Sequence, residues 1–121
     1  MPITSPSPVA MTFTRAGGSD MRCEIQVWVK KASVAPTDRP VAVIRFDQPT
    51  ESKEQVDRSL APGAYVCVVL VMVREALNGR FDYQLTVAGN SAVHQQGDVN
   101  TTAKPNDMRT FKNEFELTVS A

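Results

Sequence analysis

Apolar and polar side chains alternate with a period of two through most of the chain. Arg22-Cys23-Glu24-Ile25-Gln26-Val27-Trp28-Val29-Lys30 puts Cys23, Ile25, Val27 and Val29 on one face and Arg22, Glu24, Gln26 and Lys30 on the other. Side chains of a strand point to opposite faces in turn, so this pattern predicts a strand in an antiparallel sheet with one wet side. Val9, Met11 and Phe13 make the same pattern in an earlier strand, and Phe115, Leu117 and Val119 make it in the last one, where Glu114, Glu116 and Thr118 face out. Val41–Phe46 is a further strand, Glu51–Ser59 a polar edge strand, and Ala92–Gln96 a short one. Trp28 breaks the rule, since it is a large apolar ring on the polar face.

The densest apolar stretch follows Leu60-Ala61-Pro62-Gly63-Ala64-Tyr65 and runs from Val66 to Val73. After Leu77-Asn78-Gly79 the chain resumes as Phe81-Asp82-Tyr83-Gln84-Leu85-Thr86-Val87. β-Branched residues flanking Asn-Gly predict a hairpin in the middle of a sheet. A three-residue loop pairs Arg74 with Asp82, Val73 with Tyr83, Val71 with Leu85 and Val69 with Val87. Tyr65, Cys67, Val69, Val71 and Val73 then form the core row, with Tyr65 closing the end of the core and its hydroxyl bonded to backbone. Val66, Val68, Leu70 and Met72 point the other way, beside Gln84 and Thr86, and an apolar row on an outer face marks an interface.

No stretch of ten residues carries apolar positions at helical spacing with caps. Seven or eight short strands joined by Pro, Gly, Asn and Asp loops predict an all-β fold, a two-sheet antiparallel β-sandwich of immunoglobulin-like or jelly-roll-like type. Residues 1–8, rich in Pro and Ser, form an extended arm, and residues 9–121 form a single domain. Asp82–Ala88 and Glu114–Ser120 repeat one acidic, aromatic, polar, Leu-Thr-Val cadence, as two strands in similar positions with one wet side would.

The Leu60-x-Pro-Gly63-x-Tyr65 entry and Tyr83-x-Leu85-x-Val87 resemble strands of bacterial pre-peptidase C-terminal domains, over about residues 56–88. Transthyretin-like and fibronectin-type modules use similar entries. The resemblance implies a β-sandwich, with a role in secreted-protein maturation or glycan attachment. The physics is shared: Pro presets φ, Gly supplies the bend and the Tyr ring seals the core.

Lys plus Arg and Asp plus Glu number 13 each, so the chain lacks the basic surplus from which nucleic-acid binding draws its affinity. The longest apolar run, Ala64–Val73, is half the ~20 residues of a membrane helix, so no membrane insertion is expected. The N-terminus has neither the basic nor the apolar region of a signal peptide, which points to cytosolic synthesis. Cys23 and Cys67 fall in apolar strands, either as two buried thiols or as one bridge, the latter implying an oxidising compartment.

His94 is the only histidine, and the one thiol it could activate, Cys67, lies in an apolar run that keeps a thiol inert. No Cys or His spacing suits zinc, and the acidic residues are scattered singly, so no catalytic residue, metal or cofactor is assigned; calcium would need acidic loops gathered at one end of the sandwich. The expected function is a non-catalytic binding or assembly module that self-associates, or binds another protein, through Val66, Val68, Leu70 and Met72. The alternative is a carbohydrate-binding accessory module, with Trp28 stacking on a sugar ring and the polar stretch holding Gln95, Gln96 and Asp98 bonding its hydroxyls.

Overall fold

A computed structural model of the chain describes residues 3–16, 20–31, 36–46, 52–74, 80–98 and 108–120. They form β1 (Ile3–Pro6), β2 (Val9–Ala16), β3 (Asp20–Val29), β4 (Ala42–Phe46), β5 (Ser52–Asp57), β6 (Gly63–Arg74), β7 (Arg80–Val87), β8 (Asn90–Asp98) and β9 (Met108–Ser120). The strands make two sheets, ordered β1-β9-β6-β3-β4 and β5-β2-β7-β8, which form the expected β-sandwich. All pairings are antiparallel except β1 with β9.

The inner rows of both sheets fuse into one core. The five-stranded sheet contributes Cys23, Ile25 and Val27 from β3, Tyr65, Cys67, Val69, Val71 and Val73 from β6, and Phe115, Leu117 and Val119 from β9. The four-stranded sheet answers with Val9, Met11 and Phe13 from β2 and Tyr83, Leu85 and Val87 from β7. The rings of Phe13 and Tyr83 lie 5.9 Å apart, and Phe13 also meets Phe46 at 5.7 Å. The repeated cadence is explained here: its two copies supply equivalent inner rows to opposite sheets.

Two expectations are corrected. The arm at residues 1–8 includes a ninth strand, because β1 pairs in parallel with β9 and buries Ile3 and Ser5. As an edge strand it needs only one side of its backbone, so Pro6 is tolerated at its end. The larger correction concerns β6 and β7, which do not form a hairpin. β6 pairs with β3 and β9, whereas β7 pairs with β2 and β8, so the chain crosses between sheets after Arg74. The register of Arg74 with Asp82 through Val69 with Val87 is therefore not formed. From the opposite sheet the apolar row of β7, Tyr83, Leu85 and Val87, packs across the core against the inner row of β6. Leu77-Asn78-Gly79 lies outside the described residues. The tight turn is Ala88-Gly89 between β7 and β8, with φ of 50° and 80°. A two-residue hairpin turn with both central φ positive matches the twist of its strands.

The entry to β6 is held by local bonds. The Asp57 carboxylate accepts from Ser59 N at 2.7 Å, Ser59 Oγ at 2.7 Å and Leu60 N at 3.2 Å. This turn drops Leu60 into the core, and the Tyr65 hydroxyl donates back to the Ala61 carbonyl at 2.6 Å. Tyr65 is thus buried at the sheet end with its polar tip satisfied. Tyr65→Ala is expected to cost about 3 kcal/mol and Tyr65→Phe about 1 kcal/mol, read from denaturant midpoints. A loss below about 1 kcal/mol for Tyr65→Ala would show that the corner does not anchor the fold.

Candidate interaction face

β6 is the middle strand of the five-stranded sheet, so its outward row runs down the centre of that sheet's outer face. Register gives the rows across it. Val66 lies between Trp28 and Glu116, Val68 between Gln26 and Glu114, Leu70 between Glu24 and Lys112, and Met72 between Arg22 and Thr110. The four apolar side chains are half-buried between flanking residues that are mostly longer. Val43 and Val41, 45% and 51% exposed, extend the apolar surface beyond β3 onto and beside β4. The outward direction of Val66, Val68, Leu70 and Met72 is as expected. Their neighbours are corrected: Gln84 and Thr86 belong to the other sheet and lie on its outer face.

Charges frame the face in pairs. Arg45 Nε donates to Glu24 Oε1 at 3.0 Å and Gln26 Nε2 to Glu24 Oε2 at 3.0 Å. The Gln26 amide, then the Arg45 guanidinium, hold the Glu24 carboxyl below its ordinary range. Lys30 lies 2.8 Å from Glu116 and lowers that carboxyl in the same way. Trp28 is half-buried and lines a shallow hollow of about 90 Å³ with Val29, Lys31, Asp38, Arg39 and Val41. The Lys31–Asp38 ion pair, at 3.0 Å, lies on its rim.

The outer face of the four-stranded sheet contrasts with this one. Thr12, Thr14, Gln84, Thr86, His94 and Gln96 dominate it, and His94 Nε2 lies 3.1 Å from Asp82 Oδ1. The proposed sugar-binding residues are divided between the two sheets. Gln95, Gln96 and Asp98 are in β8 rather than a loop, while Trp28 is on the other sheet. Gln95 turns inward, where its Oε1 accepts from the buried Tyr83 hydroxyl at 2.5 Å. Gln96 is exposed, and residues 99–102 of the polar stretch lie outside the described residues. Trp28 and these amides do not form one site.

The Tyr83–Gln95 bond is part of a cluster absent from the sequence reading. Asn113, in the inner row of β9, directs Nδ2 to Tyr83 Oη at 3.4 Å and to Gln95 Oε1 at 3.5 Å. Burial, opposed by the Asn113 bond, pushes the Tyr83 phenol up to about 12. Two polar residues at inner-row parity, Gln95 and Asn113, were the available signal. The cluster ties β9 of one sheet to β7 and β8 of the other and gives the buried Tyr83 hydroxyl its partners, which is a structural role.

Cys23 and Cys67 are free and buried. Cys23 is opposite Val71 and Cys67 opposite Val27, so they sit four residues apart along neighbouring strands, roughly 13 Å at strand rise. A bridge needs Cα atoms within about 7 Å, which leaves two thiols acting as small hydrophobes. Among the described residues no three His, Cys, Asp or Glu side chains gather as a metal would require. Comparison with family models, curated proteins and solved structures finds no match.

Burial pushes both thiols from an ordinary value near 9 up to about 12. Native protein should therefore react slowly with a thiol reagent, and denatured, unreduced protein should yield two equivalents; none would establish a bridge. The same shift sets a pH dependence. Folded and unfolded thiols are both protonated below about pH 9, whereas between about 9 and 12 only the unfolded ones ionise, so stability falls as pH rises. The denaturant midpoint should fall more steeply in that window than it does for the Cys23→Ala, Cys67→Ala double variant. Equal slopes would contradict thiol burial.

Proposed function

We propose that the chain is a non-catalytic assembly module, and that a second copy covers the outer face of its five-stranded sheet. The observation that carries this reading is the row Val66, Val68, Leu70 and Met72 at the centre of that face, opposite a sheet whose outer face is Thr- and Gln-rich. Apolar area removed from water is stabilising at about 25 cal/mol per Å², and a continuous central row with Val43 and Trp28 beside it is where such burial is greatest.

Charge favours a second copy as the occupant. A twofold axis in the plane of the face, across the strands between the Val68 and Leu70 levels, stacks β6 on β6 in opposite directions. Val68 then meets Leu70 of the second copy, and Val66 meets Met72. The flanking rows follow from the register: Glu114 stands over Lys112, Trp28 over Arg22, Gln26 over Glu24 and Glu116 over Thr110. No like charges oppose each other, an ion pair forms twice, and a guanidinium faces an indole twice. The face is complementary to itself, as an isologous interface requires.

Leu70→Lys puts a charge at the centre of this contact and should lower the molar mass measured by light scattering across a concentration series. Trp28→Ala should weaken association less, since Trp28 is at the end of the row. A monomer at every concentration, with mass unchanged by Leu70→Lys, would reject self-association through this face.

A further inference from the structure

An apolar row does not by itself say which way round a second copy lies on it. Two twofold arrangements stack β6 on β6 and bury Val66, Val68, Leu70 and Met72. An axis across the strands runs the two β6 strands in opposite directions, and an axis along β6 runs them in the same direction. The residues beside the row tell the two apart. With the axis across the strands, β9 lies over β9, and Lys112 faces Glu114 of the second copy. With the axis along them, β9 lies over β3, so Lys112 faces Glu24, Glu114 faces Gln26 and Glu116 faces Trp28.

The second arrangement calls on carboxylates that are already engaged. Glu24 accepts from Arg45 at Oε1 and from Gln26 at Oε2, both at 3.0 Å, and its side chain is 23% exposed. Glu116 lies 2.8 Å from Lys30, and this arrangement would set it on an indole, whose ring face is negative. Lys112 and Glu114 differ from both. They occupy successive outward positions of β9, are 63% and 57% exposed, and lie 3.8 Å apart. A pair this exposed and this long contributes little within one chain. Across the first axis each lysine gains a second carboxylate, and the four side chains close into a ring of alternating charge. The ring sits one strand from the apolar row and beside the axis, where the twist of two stacked sheets displaces facing residues least.

We infer that Lys112 and Glu114 fix the orientation of the contact, so that two copies associate with their β6 strands antiparallel. This rests on the reading of the face as a self-association surface and adds which way round the copies meet.

Charge reversal separates the two arrangements, and both side chains are exposed, so the variants leave the core intact. Glu114→Lys sets lysine against Lys112 of the second copy when the axis crosses the strands, but against Gln26 when it follows them. Lys112→Glu sets carboxylate against carboxylate in either case. Light scattering at a concentration where the wild type is a dimer should give half that mass for each single variant, with circular dichroism confirming each fold. Lys112→Glu combined with Glu114→Lys rebuilds the ring with its signs exchanged and should return the dimer mass. An equimolar mixture of the two single variants should do the same. Each chain of that mixture keeps its own like charges, so recovery reads contacts between chains. The inference is overturned if Leu70→Lys dissociates the dimer while Glu114→Lys keeps it, or while the double reversal stays a monomer. The face would then hold and the orientation would not. A wild type that is a monomer at every concentration overturns the face and the orientation together.

Discussion

The structure depends on the central position of β6. This twelve-residue strand is hydrogen-bonded on both sides, to β3 and β9, so its backbone is satisfied within its own sheet. Its inner row, Tyr65 to Val73, is the spine against which β2 and β7 pack from the other sheet. Because its outer row is also apolar, one strand has two faces to keep from water, and the sandwich covers only one of them. The core and the proposed interface are two consequences of the same run of residues.

Much of this was legible in the sequence, and the reason is the period of two. Wherever one face of a strand is wet, alternation names both the strand and its inner row, as for β2, β3 and β9. The run in β6 has no alternation, and the sequence reading takes its inner row from a hairpin register with β7 that is not formed, although the parity this gives, with Tyr65 buried at the end of the row, is the one β6 adopts. Which strands pair was less legible. Asn78-Gly79 reports a local reversal of the chain, not whether the next strand joins the same sheet or the opposite one. The apolar row of Tyr83, Leu85 and Val87 does not decide it either, since that row faces the core from both positions. β1 was hidden for a compositional reason: Pro and Ser suppress strand propensity, although a strand paired on one side tolerates both.

The binding residues read from the sequence fared unevenly for a related reason. Val66, Val68, Leu70 and Met72 were placed through the hairpin register, which is not formed, and their outward direction is instead set by the pairing of β6 with β3 and β9. Trp28, Gln95, Gln96 and Asp98 were grouped by chemistry, without a topology to bring them together, and the sheets separate them. Gln95 shows the difficulty plainly: an amide suited to a sugar hydroxyl is equally suited to a buried phenol, and here it meets Tyr83.

Trp28 is the only tryptophan, and it borders the central row beside Val66, so its emission reports the cover of this face directly. The decisive measurement is the emission maximum along a dilution series, set beside molar mass at the same concentrations. Cover by a second copy predicts a shift to longer wavelength that follows the fall in mass, as the indole loses its partner and gains water. An unchanged maximum while the mass falls would show that the copies meet elsewhere and that this face is open to solvent throughout.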